Sequence, residues 1–176
     1  MKKDSNKRKG FSLIETLFVL SISVVILLAL GLFSRNIFFY NSFVSSGLAY
    51  ADAGREILTT AAAEIREANT ADTGAYTIGL ATASAFTFYS DIDNDGLKEK
   101  VRYFLNGNLF QKGITKPTGS PLTYNSANET ISTLISNVTS SSIFDYYDKN
   151  YDGTTAPLAF PVNIADIRLV KITISI

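Results

Sequence analysis

One feature limits what this chain can fold into more than any other: a long apolar run broken by a single acid. From Phe11 to Phe33 there are 23 residues with no proline, and Glu15 is the one ionisable group among them. At about 1.5 Å per helical residue, such a run crosses a hydrocarbon layer about 30 Å thick. A carboxylate close to a membrane span is costly and requires a partner or a use. Lys2, Lys3, Lys7, Arg8 and Lys9 stand just before the run, against one acid, Asp4. This bias predicts that the N-terminus stays in the cytoplasm and that everything after Phe33 lies outside. A secretory signal would also start basic, but it has a shorter apolar core and small residues at its cleavage site. Ala29-Leu30-Gly31 matches that pattern only weakly.

Composition removes several classes of function. With 176 residues the chain has room for one long helix and one modest globular domain. Beyond residue 10, eleven basic side chains face fifteen acidic ones, which argues against direct nucleic-acid binding. There is no cysteine, hence no disulfide, thiol nucleophile or zinc-thiolate site. There is no histidine either, which removes the usual general base and the usual transition-metal ligand. No carboxylate pair outside one acidic turn suggests a hydrolase, and the chain reads as a non-enzyme.

Gly10-Phe11-Ser12-Leu13-Ile14-Glu15, preceded by the basic leader, resembles the N-terminal signal of type IV pilin-like proteins. The resemblance implies that residues 1–10 form a leader removed on the cytoplasmic side by a membrane prepilin peptidase. The bond cut is then Gly10-Phe11, and the new N-terminal amine, on Phe11, is methylated. Glycine suits a cramped proteolytic site because it has no side chain. Glu15 becomes the fifth residue of the mature chain, about 6 Å along a helix from Phe11. There its carboxylate could pair with the N-terminal amine of a neighbouring subunit, setting register and neutralising both charges during assembly.

The apolar run, 11–33, is expected to continue as an amphipathic helix to about Asn69, within a segment covering 34–73. Phe43, Gly47, Tyr50, Gly54, Ile57, Leu58, Ala61, Ile65 and Ala68 recur at three- and four-residue steps, opposite Ser45, Asp52, Glu56, Thr60 and Glu67. From 74 to 176 the pattern changes to short alternating segments. Strands are predicted over Tyr76–Leu80, Ala85–Ser90, Lys100–Leu105, Leu109–Lys112, Thr130–Val138, Ile143–Tyr147 and Ile167–Ile176, the last being the most regular. Asn106-Gly107 signals a tight hairpin, and all four prolines fall between strands. The fold class is α+β, with a long N-terminal helix packed on an antiparallel sheet.

The order of these segments is similar to the larger minor pilins and the J-type minor pseudopilins of type II secretion. Phe86-Thr87-Phe88-Tyr89-Ser90 runs into an acidic turn, then Val101-Arg102-Tyr103-Phe104-Leu105 and Leu109-Phe110-Gln111-Lys112. Later come Phe144-Asp145-Tyr146-Tyr147-Asp148 and Leu169-Val170-Lys171-Ile172. The chain lacks the membrane-half proline and C-terminal disulfide of many major pilins. The resemblance implies a single-pass inner-membrane protein that assembles with other pilin or pseudopilin subunits on an inner-membrane platform, and that sits in membrane lipid beforehand. The alternative is a membrane-anchored extracytoplasmic binding domain that never assembles.

The turn Asp91-Ile92-Asp93-Asn94-Asp95-Gly96-Leu97-Lys98-Glu99 carries the first half of a calcium-loop pattern, with carboxylates at alternate positions and a glycine at the bend. The twelfth position is Arg102 rather than Glu, so a complete EF-hand is not expected. A looser calcium site would use Asp91, Asp93, Asp95, the Leu97 carbonyl and Glu99. The competing reading is a solvated turn whose Asp, Asn and Gly are there for conformational reasons. Asp148-Lys149-Asn150-Tyr151-Asp152-Gly153 repeats the spacing with a lysine inside it.

Overall fold

The structure is a computed structural model describing Gly10 and residues 12–176, with side chains left undescribed at Asn36 and 38–51. Residues 1–9 and Phe11 of the expected leader and cleavage site therefore lie outside the described residues, as do the side chains of Phe43 and Tyr50. The chain divides into two compact units, Met1–Asp52 and Ala53–Ile176. One helix, α1 (Leu13–Arg66), begins in the first and ends in the second.

In the first unit, Ser12 caps the helix. Its Oγ accepts the Glu15 N–H at 3.3 Å, and its carbonyl accepts those of Glu15 and Thr16 at 3.0 and 3.2 Å. Leu13–Arg35 is apolar and long enough to span a membrane, and none of it is buried within the protein. Three of its hydroxyls are satisfied locally: Thr16 Oγ1 donates to the Leu13 carbonyl, Ser21 Oγ to Phe18 and Ser23 Oγ to Val19, at 2.8–2.9 Å. That suits lipid, which offers polar groups no other partner.

In the second unit, the end of α1 lies against a five-stranded antiparallel meander. The strands are β1 (Ile78–Ala81), β2 (Ala85–Ser90), β3 (Glu99–Asn106), β4 (Leu109–Thr115) and β5 (Thr130–Ile135), adjacent in that order. A separate two-stranded ladder pairs β6 (Phe144–Tyr147) with β7 (Leu169–Ile172). Ala61 of α1 is fully buried, with Ile57, Ile65 and Ala68 packed around the same core as Phe86, Phe88, Tyr103, Phe110, Phe144 and Tyr146. The aromatic rings form a continuous layer. Phe88 stacks on Tyr103 with centroids 6.2 Å apart, Tyr103 on Phe110 at 5.7 Å, and Phe86 meets Phe144 and Tyr146 at 6.0 and 5.8 Å. This is the α+β layout expected, with a long apolar N-terminal helix followed by an antiparallel sheet.

Several boundaries differ from the expected ones for local reasons. The helix stops at Arg66 because the Asn69 N–H bonds the Tyr89 carbonyl of β2 at 2.8 Å, docking the chain on the sheet. The β3–β4 hairpin closes at Asn106 and Leu109, so its two turn residues are Gly107 and Asn108 rather than Asn106-Gly107. Gly107 alone takes a positive φ (61°), as the first position of a type II′ turn demands. β5 ends at Ile135, before Asn137, whose φ of 62° cannot continue a strand. The terminal strand covers only Leu169–Ile172, because its partner β6 offers four residues. Beyond it, Thr173 and Ser175 bond to Ile143 and the 139–140 segment.

Two buried phenols give this fold a pH signature. Burial raises the Tyr103 pKa, helped by its bond to Glu64, and burial likewise raises that of Tyr146, whose hydroxyl donates to the Thr82 carbonyl at 2.8 Å. In the unfolded chain both ionise near pH 10, while the folded protein keeps its protons. Their stabilising contribution is complete below pH 10 and is lost as pH rises further. Urea midpoints between pH 8 and 11 are expected to fall with pH, and to fall less steeply in Tyr103→Phe and Tyr146→Phe.

Candidate functional site

Two places carry candidate chemistry. The first is the start of α1. Ser12 and Glu15 stand at the cap and third helical positions, the Ser-x-x-Glu spacing of a capping box, which the sequence reading did not use. Glu15 therefore sits in the first helical turn, where the helix dipole favours an anion. Gly10 precedes the helix and is exposed. Phe11, the residue whose amine would be methylated, lies outside the described residues.

The second place is the β2–β3 loop. Backbone amides fold it onto its own acids: Asp95 N–H donates to Asp91 Oδ1 (3.2 Å) and Asp93 Oδ1 (3.3 Å), Gly96 N–H to Asp91 Oδ2 (3.0 Å), and Leu97 N–H to Asp95 Oδ1 (2.9 Å). Asn94 (φ 59°) and Gly96 (φ 91°) make the reversal possible. The exit is clamped by Asp72, which accepts the Lys98 N–H and ammonium at 2.6 and 2.8 Å, and by Tyr124, whose hydroxyl donates to the Lys98 carbonyl at 2.7 Å. The Lys98 contacts hold the Asp72 pKa below its usual value.

Of the five expected ligands, the loop brings three together. Oxygens of Asp91, Asp93 and Glu99 lie within 4.8 Å of one another. Asp95 is not in this group of side chains, and its Oδ1 accepts the Leu97 N–H. Glu99 is fully buried. Burial raises its pKa, only partly offset by the Ile92 N–H that donates to Oε2 at 3.0 Å, and the Asp93 charge raises it further. Its Oε1 accepts no hydrogen bond among the described residues, and neither does the buried Oγ of Ser90, its cross-strand partner.

Sequence reasoning missed a fourth participant, Lys116, just past β4. Its ammonium bonds Asp93 Oδ2, lies 3.4 Å from Asp95 Oδ2, and stops 3.9 Å from Glu99 Oε1. The Asp93 contact lowers that acid's pKa and raises the lysine's. Arg102, where a calcium loop has its final Glu, instead grips Glu129 with Nε and Nη2 at 2.8 and 2.6 Å. In the weaker repeat, Asp148 and Asp152 are each consumed by their own turns. Asp152 Oδ1 takes four donors from Thr154 and Thr155, which pull its pKa well down.

The family model for the prokaryotic N-terminal methylation motif matches residues 5–31, which include Gly10, Phe11, Glu15 and much of the apolar run. That motif indicates a type IV pilin or pseudopilin precursor. It implies processing by a prepilin peptidase and assembly with other pilin subunits. Together with the apolar helix it points to a membrane-anchored, structural pilin-type protein, a kind that is not usually an enzyme. No curated protein and no solved structure matches the chain.

Proposed function

We propose that the chain is a minor pilin or pseudopilin: a structural subunit cut after Gly10, methylated on Phe11, and drawn by its N-terminal helix into a type IV pilus-like or type II secretion filament. The methylation motif at 5–31 is the observation that carries this reading. The capped start of α1 supports it, since Glu15 is held in the first turn of an otherwise apolar span. So does the layout of the second unit, where an antiparallel sheet packs on the last turns of the same helix. Before assembly the apolar helix rests in the inner membrane with the N-terminus in the cytoplasm. The sheet domain is then exported on the far side, ready to meet other subunits.

Intact-mass measurement of the chain, expressed with its own peptidase, tests the processing step. The expected product lacks residues 1–10 and carries one extra methyl on the amine of Phe11. Gly10→Val is expected to leave the leader in place, because a branched side chain must enter where a bare backbone was accepted. A wild-type chain that keeps its leader, or is cut elsewhere, overturns the proposal.

A further inference from the structure

We propose that the β2–β3 loop binds one calcium ion through Asp91, Asp93 and Glu99, and that Lys116 acts as a resident cation which the metal displaces. The inference concerns the sheet domain alone and does not depend on the filament reading. Three carboxylates within 4.8 Å of one another make a cluster, and a cluster is not a site by itself. What points to a ligand is Glu99 Oε1. The side chain is fully buried, Oε2 is fixed by the Ile92 N–H at 3.0 Å, and Oε1, 3.9 Å from the Lys116 ammonium, has no hydrogen bond. A buried carboxylate oxygen without a donor is strongly disfavoured unless something positive meets it. Ser90 Oγ, on the residue opposite Glu99 in the β2–β3 register, is buried and without a hydrogen bond as well.

Lys116 answers this demand incompletely. Its ammonium pairs with Asp93 and approaches Asp95 at the rim, yet remains 3.9 Å from Glu99 Oε1. A bare ion bonded to oxygens at about 2.3–2.6 Å reaches further in and brings a second charge against three carboxylates. Asp91 already accepts two loop amides, but each carboxylate oxygen has a second lone pair for a metal. The set is all oxygen with no histidine or cysteine in the chain, which selects a hard ion over zinc or copper. A flexible Asp-rich turn favours calcium over magnesium, which demands near-ideal octahedral geometry. Asp95 and Leu97 remain outside the ligand set, and water would complete the coordination.

Calorimetric titration of the full chain in detergent micelles, stripped with chelator, tests the proposal with calcium chloride and, separately, magnesium chloride. One saturable calcium site is expected, with a dissociation constant at or below about 1 mM, the range of extracellular modules. Lys116→Gln is expected to tighten it at least tenfold. Glu99→Gln and Asp93→Asn are each expected to weaken it at least tenfold. Asp93 is on the surface, so Asp93→Asn carries the test even if the Glu99 variant fails to fold. No calcium heat up to about 10 mM, ten times that upper range, in either wild type or Lys116→Gln overturns the site. Binding unchanged by Asp93→Asn places the ion elsewhere and overturns the ligand assignment. Equal magnesium affinity overturns the choice of calcium, and a Lys116→Gln affinity equal to wild type overturns the displacement.

Discussion

Glu15→Gln is expected to leave cleavage after Gly10 and methylation of Phe11 intact, while lowering incorporation of the chain into filaments about a hundredfold. The substitution separates two roles that the start of α1 combines. Glutamine at the third helical position serves a capping box as well as glutamate does. Ser12 would still accept the Glu15-position amide through its own Oγ, so the helix would start where it does now. What disappears is the negative charge. Losing its interaction with the helix dipole costs about 0.5 kcal/mol, a factor of two or so. Losing the partner of a neighbour's N-terminal amine leaves that cation unpaired among packed apolar helices, which costs several kcal/mol, or about two decades or more in an equilibrium. The gap between a factor of two and a factor of a hundred decides between a helix cap and an assembly contact. Quantitative immunoblotting of sheared filaments against total processed protein reads it. If the Gln variant were incorporated within threefold of wild type, the pairing reading would fail and the capping role would stand alone.

What could be read from the sequence follows the distance over which each signal acts. Helix periodicity and the apolar run are local properties, and α1 begins and ends within three residues of the expected span. β2 coincides with its expected residues, Ala85–Ser90, because alternating aromatics are bounded by turn residues on both sides. The terminal strand shows the limit. Ten alternating residues describe a chain able to pair, but the ladder reaches only as far as β6 extends. The acidic loop divides in the same way. Spacing along the chain identified Asp91 and Asp93 and allowed Glu99, whereas Lys116 enters from 17 residues further on, because β3 and β4 fold back and place Thr115 beside Lys100. Glu99, allowed as a ligand by its spacing, is fully buried at the start of β3. Its burial depends on where the sheet ends, which no local pattern encodes.

Glu64 was hidden by the same kind of distance, and removing it is expected to cost the sheet domain more than any loop substitution. It interrupts the buried face of α1, between Ala61 and Ile65, where the apolar stripe reads as uniform. One oxygen accepts the Tyr103 hydroxyl of β3 at 2.7 Å and the other the Lys112 ammonium of β4 at 2.5 Å. Both charged side chains are largely covered, at 14% and 13% exposure, and the Lys112 ammonium lies 5.6 Å from the centre of the Tyr103 ring. Glu64→Ala strands a buried hydroxyl and a mostly covered cation together. A lost buried partner costs about 1–3 kcal/mol for the hydroxyl, and breaking a buried ion pair costs about 3–5 kcal/mol. Lys112 can partly reach water, so a total near 3 kcal/mol is expected, equivalent to a fall in melting temperature on the order of 10 °C. Tyr103→Phe should cost only about 1 kcal/mol, since Glu64 keeps Lys112. In the double variant the two losses are expected to fall short of additive by about 1 kcal/mol, because the hydroxyl stranded by the first change is removed by the second. Urea titration of the four proteins, as full chains in detergent, measures the cycle. A Glu64→Ala variant less than 1 kcal/mol below wild type, or strict additivity with Tyr103→Phe, would show that α1 is held on the sheet by apolar packing of Ile57, Ala61 and Ile65 alone.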